Sequence, residues 1–184
     1  DPREFPNHPA ILDPNNIIEL DKFNQLPYTH ADHAKWRKYV RVSKRFTNAA
    51  NLNLNKVINE KGISQYLAVH WRQDDFLQVR PQVTLTAKEL VELVKERLKE
   101  TTLEHVYLAT DSTSQEDLQY IKSHLPIFEA NLNGFHDDHG NTDPIYASLL
   151  DIMACTWSTY FMGTDYSCFT SYIRGERDIL EVPK

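Results

Sequence analysis

The sequence predicts an α/β domain, a four-stranded parallel sheet with helices on both faces. Apolar runs of strand length recur at 66–71, 106–109, 127–129 and 160–163, and the segments between them carry helix-start signals and helical periodicity. Strands alternating with helices argue for parallel pairing, and the right-handed crossover rule then gathers all four carboxyl ends on one rim. The first run ends in His70-Trp71-Arg72, followed by Gln73-Asp74-Asp75-Phe76. Because strand residues alternate sides, His70 and Arg72 point the same way at that rim.

Each element has its own signal. Residues 1–33, with Pro2, Pro6, Pro9, Pro14 and Pro27, read as an irregular lead-in, since proline at this density breaks helices. The folded domain is expected over 34–184. A helix is predicted from about Asp32 or His33, with Trp36, Tyr39, Val40, Ser43, Phe46 and Ala50 as its apolar stripe. Lys35, Arg37, Lys38, Arg41, Lys44 and Arg45 lie on its other side. Thr86-Ala87-Lys88-Glu89 is a capping box that opens a helix to about Glu100, with Leu90, Val91, Val94 and Leu98 facing the core. Ser114 opens the next helix, and Pro126 limits it. Pro144, at a first-turn position, opens a helix with Ala147, Leu150, Met153, Ala154 and Trp157 as core positions. The last helix is predicted from Tyr166 or Ser167 to about Gly175.

A length of 184 residues suits one domain, and 41% apolar with 25% charged residues is ordinary for a soluble globular protein. The net charge of −6 opposes general nucleic-acid binding, which needs a basic surface. No stretch approaches the roughly 20 apolar residues of a membrane span. The chain begins at Asp1, without an initiator Met or a leader sequence, and so reads as a processed product, an engineered segment or part of something longer. Neither a Gly-x-Gly-x-x-Gly nor a Walker loop is present, which weighs against NAD or ATP use by the standard loops. Cys155 and Cys168 read as two unbridged thiols in preference to one disulfide, as neither spacing nor number demands a bridge. Two clusters, His30/Asp32/His33 and His136/Asp137/Asp138/His139, have the chemistry of zinc or manganese ligands. Both sit in turn-rich segments that favour the same residues for other reasons, so no metal site is assigned.

The rim carries a candidate anion site. The planar fork of Arg72 suits a phosphate, because it can donate two hydrogen bonds at once. Thr110 and Asp111 end the second strand, and the run Thr164-Asp165-Tyr166-Ser167-Cys168-Phe169-Thr170 supplies hydroxyls and helix-start amides fit for a pyrophosphate. A purely structural reading competes with this one. In it, Ser167 or Asp165 caps a helix, and Arg72 pairs with Asp74 or Asp75. Asp151 sits in a largely apolar helix, where a charge is costly without a partner. Its partner is either a base or ribose, or simply water.

In this order the segments resemble the C-terminal half of the GDP-fucose protein O-fucosyltransferases, closest to the branch that modifies thrombospondin type 1 repeats. That half carries a strand ending in His-x-Arg and then Asp-Phe, matched by His70-Trp71-Arg72 and Asp75-Phe76. A strand ending in Ala-Thr-Asp follows, matched by Ala109-Thr110-Asp111. Asp151, Phe161-Met162-Gly163-Thr164, Ser167-Cys168-Phe169-Thr170, Ile173 and Arg177-Asp178 continue the pattern, and the likeness covers about residues 36–182.

The resemblance implies the Rossmann-like C-terminal domain of a GT-B glycosyltransferase, with GDP-fucose as donor and no metal cofactor. Arg72 is the implied catalytic residue, binding the β-phosphate and the oxygen leaving the sugar, with His70 beside it. Asp151 is implied to contact the nucleoside, while Ser167, Cys168 and Phe169 hold the phosphates. The implied reaction is inverting transfer of fucose to a Ser or Thr hydroxyl of a small folded extracellular domain, in the lumen of the endoplasmic reticulum.

The chain departs from the family at Asp74, where a basic residue or Gly is frequent, at Cys168, where Ser or Thr is usual, and at Trp71, where Leu is usual. The family's N-terminal domain has no segment of matching length here. The chain alone is therefore expected to bind the nucleotide weakly and not to transfer sugar. The rival expectation is a non-catalytic module that uses the fold to bind a nucleotide, sugar or protein. A third makes the basic helix around Arg41 a face for an acidic partner.

Overall fold

Residues 42, 44–130 and 144–182 are described by a computed structural model. Helix α1 (Lys44–Lys61) comes first and gives way at Gly62, whose φ of +65° suits the left-handed turn. The predicted start of this helix, and the lead-in before it, lie outside the described residues. The helix continues well past Ala50, through a stretch whose Asn-Leu alternation hides the helical spacing. Leu54 and Val57 turn inward beside Ala50, while Leu52 is left exposed.

Strand β1 (Leu67–Trp71) leads to a short helix α2 (Phe76–Val79) and a 3₁₀ turn (Pro81–Val83). Helix α3 (Ala87–Thr101) starts at the expected capping box: the Thr86 hydroxyl accepts from the Glu89 amide, and the Glu89 carboxylate accepts from the Thr86 amide. Strand β2 (Val106–Thr110), helix α4 (Gln115–His124, capped by Ser114), strand β3 (Ile127–Phe128) and helix α5 (Pro144–Trp157) follow. Strand β4 (Tyr160–Gly163) and helix α6 (Cys168–Ile179) close the order.

The strands form one sheet in the order β3-β2-β1-β4, and every pair is parallel. Their carboxyl ends therefore share one rim, as expected. In β1 all five residues are buried, as befits a central parallel strand covered on both faces. Alternation sends Ala68 toward α1 and α5, into a core with Leu54, Tyr107, Tyr146 and Leu150. Leu67, Val69 and Trp71 go the other way, to pack with Leu90, Val91, Val94 and Ile121 of α3 and α4.

Helix α6 runs four residues beyond its expected end at Gly175. Packing overrides the weak helix propensity of one glycine, because Arg177 is buried against the end of α5. Its Nη1 lies 3.2, 2.9 and 2.7 Å from the carbonyl oxygens of Cys155, Thr156 and Ser158. Those are orphan acceptors at a helix C-terminus, where positive charge is favoured.

Candidate functional site

The His-x-Arg spacing works as the alternation demands. Trp71, between the two, faces α3 and is anchored by its indole N–H, which donates to the Leu85 carbonyl at 2.9 Å. A side chain larger than the family's Leu is thus absorbed away from the rim. His70 is 5% exposed, stacks on Phe169 with ring centroids 4.8 Å apart, and shares a hydrogen bond between Nδ1 and Thr170 Oγ1 at 2.7 Å. Burial pushes its pKa down to about 4; Asp111 pulls the other way and Arg72 adds to the fall. The ring is therefore neutral near pH 7.

Helix α6 reaches the rim because Gly163 lets it. A Cβ at this position would collide with Thr170 Cγ2 and stand 2.7 Å from Thr170 Oγ1, closer than side-chain carbons come, with Phe161 Cζ crowding it at 3.0 Å. Thr164 then ties the loop to β1: its amide and hydroxyl both donate to the His70 carbonyl, and its Oγ1 accepts from the Arg72 amide at 3.0 Å. Ser167 is buried and caps α6, accepting from the Thr170 amide at 3.4 Å. The capping role is the structural reading of this residue, and it takes up the Thr170 amide of the first turn. Cys168, the first helical residue, is exposed, and Cys155 is buried.

Arg72 leaves the strand end and enters a fork of two carboxylates. Nη2 lies 2.8 Å from Asp75 Oδ1, Nη1 lies 2.9 Å from Asp111 Oδ2, and the guanidinium carbon is 5.6 Å from the centre of the Phe76 ring. Pairing with Asp75 was the structural alternative for this residue; the second partner, Asp111, comes from the next strand. Asp111 also accepts from the Gln73 amide at 2.7 Å. The Arg72 side chain remains about one-third exposed, and that of Asp75 more than half.

Asp151 belongs to an adjoining cleft of about 420 Å³, over the β2–β3 end of the rim. Tyr107, Thr110, Phe128, Ala147 and Leu150 line it with Asp151, a size within the range of small-ligand sites. Asp151 accepts a hydrogen bond from the Tyr107 hydroxyl at 2.7 Å. Burial pushes its carboxyl up to about 6, against the lowering effect of that bond. The predicted residues thus fall into three places: His70 with Ser167, Cys168 and Phe169 at the β1–β4 end, Arg72 between Asp75 and Asp111 past the ends of β1 and β2, and Asp151 in the cleft. Thr110 spans the gap, since it lines the cleft while its hydroxyl donates to the Trp71 carbonyl at 2.6 Å.

Sequence reasoning missed Tyr107 as the partner of Asp151 and Thr170 as the partner of His70. Their apolar or helix-start surroundings gave no cue of either pairing. Both histidine–aspartate clusters weighed as metal sites lie outside the described residues; among the described residues there is no cluster of three such ligands. Nor is any described helix long and apolar enough to cross a membrane.

The sequence model of the GDP-fucose protein O-fucosyltransferase family matches residues 12–180. Relatives described as GDP-fucose protein O-fucosyltransferase 2 agree with the branch to which the motifs pointed. That of Caenorhabditis elegans is 32% identical over 123 residues, 64% of this chain and 27% of the relative. That of Drosophila melanogaster is 33% identical over 128 residues, 66% of this chain and 25% of the relative. The chain thus spans about a quarter of these proteins. Among solved structures, POFUT1 in complex with GDP superposes with a TM-score of 0.54 at 18% identity, over 81% of this chain and 47% of that one. Apo POFUT1 gives 0.56 at 16% identity, over 84% and 49%. These likenesses establish the shared fold, and the match across residues 12–180 establishes the rest: the chain belongs to the GDP-fucose protein O-fucosyltransferase family.

Proposed function

We propose that this chain is the donor-binding half of a protein O-fucosyltransferase of GT-B architecture. Residues 34–184 form the domain that holds GDP-fucose, with fucose passing to a Ser or Thr hydroxyl of a small folded protein in the lumen of the endoplasmic reticulum. The observation that carries this reading is the part-exposed Arg72 side chain at the carboxyl end of the central strand, whose backbone is tied through Thr164 to the loop that leads into α6. In a parallel α/β sheet this rim is where ligands sit. The diphosphate lies between Arg72 and the α6 amides near Cys168 and Phe169, and the nucleoside enters the cleft beside Asp151.

The chemistry follows from charge. The bond from the anomeric carbon to the β-phosphate oxygen breaks as the acceptor oxygen attacks from the opposite face, inverting that carbon. Negative charge then grows on the departing phosphate, where a fixed guanidinium stabilises it without a metal ion. His70, neutral and buried, is poorly placed to act as a base. Its part is to hold Phe169 and Thr170, and so the start of α6, against the rim. Much of the acceptor site belongs to the part of the family fold that this chain does not span.

A second reading, a binding module without transferase activity, draws support from the thiol at Cys168, a weak donor in place of a hydroxyl. Calorimetric titration with GDP, GDP-fucose and UDP, beside Arg72→Ala, tests the donor site. Guanine-selective binding that the substitution abolishes is the expected result; equal binding by wild type and variant would refute it. Sugar transfer by a longer polypeptide that includes this chain, lost in Arg72→Ala, separates the enzyme from the module.

A further inference from the structure

The two carboxylates on Arg72 are not equivalent. Asp111 is mostly buried, with its side chain 22% exposed, and its second oxygen accepts from the Gln73 amide at 2.7 Å. Gln73 is itself 5% exposed, and its side-chain amide donates to the Arg72 and Leu85 carbonyls, both at 3.1 Å. Moving Asp111 would strip a partner from a backbone N–H at the end of β1. Asp75 is 59% exposed, stands before α2 without capping it, and bonds through its side chain to Arg72 at 2.8 Å. Releasing it exposes a carboxylate to water and strands no buried group.

We propose that Asp111 is the fixed positioning residue of Arg72, and that Asp75 is a displaceable carboxylate occupying the place an incoming diphosphate takes. The proposal rests on the donor-site reading above. With both carboxylates in place, the guanidinium is outnumbered by negative charge, and a diphosphate adds more. Swinging Asp75 out frees Nη2 for a phosphate oxygen and removes one repulsion, while Asp111 keeps the fork aimed at the rim. Pairs as exposed as Arg72–Asp75 are weak, so the exchange is cheap and reversible. Asp75 thereby keeps Arg72 ordered between donors and sets a threshold on the anions it accepts.

Calorimetry with inorganic pyrophosphate and with GDP, on the chain and on Asp75→Asn, Asp75→Glu, Asp111→Asn and Arg72→Ala, tests this. Asp75→Asn is expected to bind pyrophosphate about two- to fivefold tighter, the strength of an exposed pair expressed as an affinity ratio. Asp75→Glu, which restores the competing charge, is expected to return the affinity toward wild type, a rescue that a merely structural role would not give. Asp111→Asn is expected to bind about tenfold weaker, because the mostly buried ion pair that aims Arg72 is lost. Asp75→Asn binding no tighter, while Arg72→Ala still weakens GDP, overturns the displacement and leaves the donor site standing. Arg72→Ala binding GDP as wild type does overturns both. Asp75 is exposed and caps nothing, so that arm stands even if Asp111→Asn fails to fold.

Discussion

Replacing Asp151 by Asn should make the protein more stable and worse at holding a nucleotide, and the pH dependence identifies the cause. Burial raises the Asp151 carboxyl from 3.8 to about 6, despite the Tyr107 hydroxyl that favours its ionised form. The folded state therefore binds this proton more tightly than the unfolded chain does. With a folded pKa above the unfolded one, stability is greatest below pH 3.8, falls as pH rises from there to about 6, and stays at the lower level above. At roughly 1.36 kcal/mol per unit, the shift bounds the cost of the ionised carboxylate at about 3 kcal/mol. Asp151 also lines an open cleft, where water shares the load, so on the order of 1–2 kcal/mol is the expected figure.

Asn is nearly isosteric, and its carbonyl can still accept from Tyr107. Asp151→Asn should gain that 1–2 kcal/mol at pH 7.5, about 2–8 °C in Tm for a chain of this length. Urea unfolding of both proteins between pH 4 and 8 is the assay. The difference between them should be full above about pH 6, shrink steadily as pH falls from there toward about 4, and vanish only below 3.8, where the carboxyl of the unfolded chain is protonated as well. A destabilised variant at pH 7.5, or a gap that does not change with pH, would refute the argument that desolvation dominates here. GDP affinity should fall in the same variant, the familiar exchange of stability for function at a site that buries a charge.

Three further outcomes follow from the geometry. Gly163→Ala should destabilise by about 1–3 kcal/mol, since the new methyl meets Thr170 Oγ1, and should weaken GDP binding by displacing α6, as thermal melting and titration would show. Arg177→Met should cost about 1.5–3 kcal/mol in chemical denaturation by leaving the carbonyls at the end of α5 without their donor, although the residue lies far from the proposed chemistry. Cys168 should react with a maleimide far faster than buried Cys155, and GDP should slow that reaction; mass spectrometry of the labelled peptides reads both.

What the sequence made legible was local. The capping box at Thr86 and Glu89, the cap at Ser167 and the four strands are short-range patterns, each set by neighbours within a few residues. Contacts across the chain were not legible. His70 meets Thr170 a hundred positions away, and Tyr107 reaches Asp151 across forty-four. No periodicity encodes such pairs. Arg177 shows the same limit from another side: its burial is met by helix-end carbonyls, which every sequence possesses and none displays. The 51–61 stretch carries no clear helical signal for a further reason, since the Asn-Leu alternation at 51–55 has the period of a strand while the chain takes the period of a helix.

The rim also explains why the motif has the form His-x-Arg. One strand must do three things in three residues: brace α6, seal the opposite core and present a cation. His70 does the first as a neutral ring against Phe169 and Thr170, and Trp71 the second through its burial and its bond to Leu85. Arg72 does the third just past the last ladder pair, Trp71 with Thr110, where the backbone is still fixed by Thr164 but the side chain is clear of the sheet. Shifting the motif by one residue would bury the guanidinium in the apolar α3 core and turn the indole to the rim. A cation held by backbone register loses little order when a diphosphate arrives, so most of its attraction remains for the charge that develops as the sugar departs.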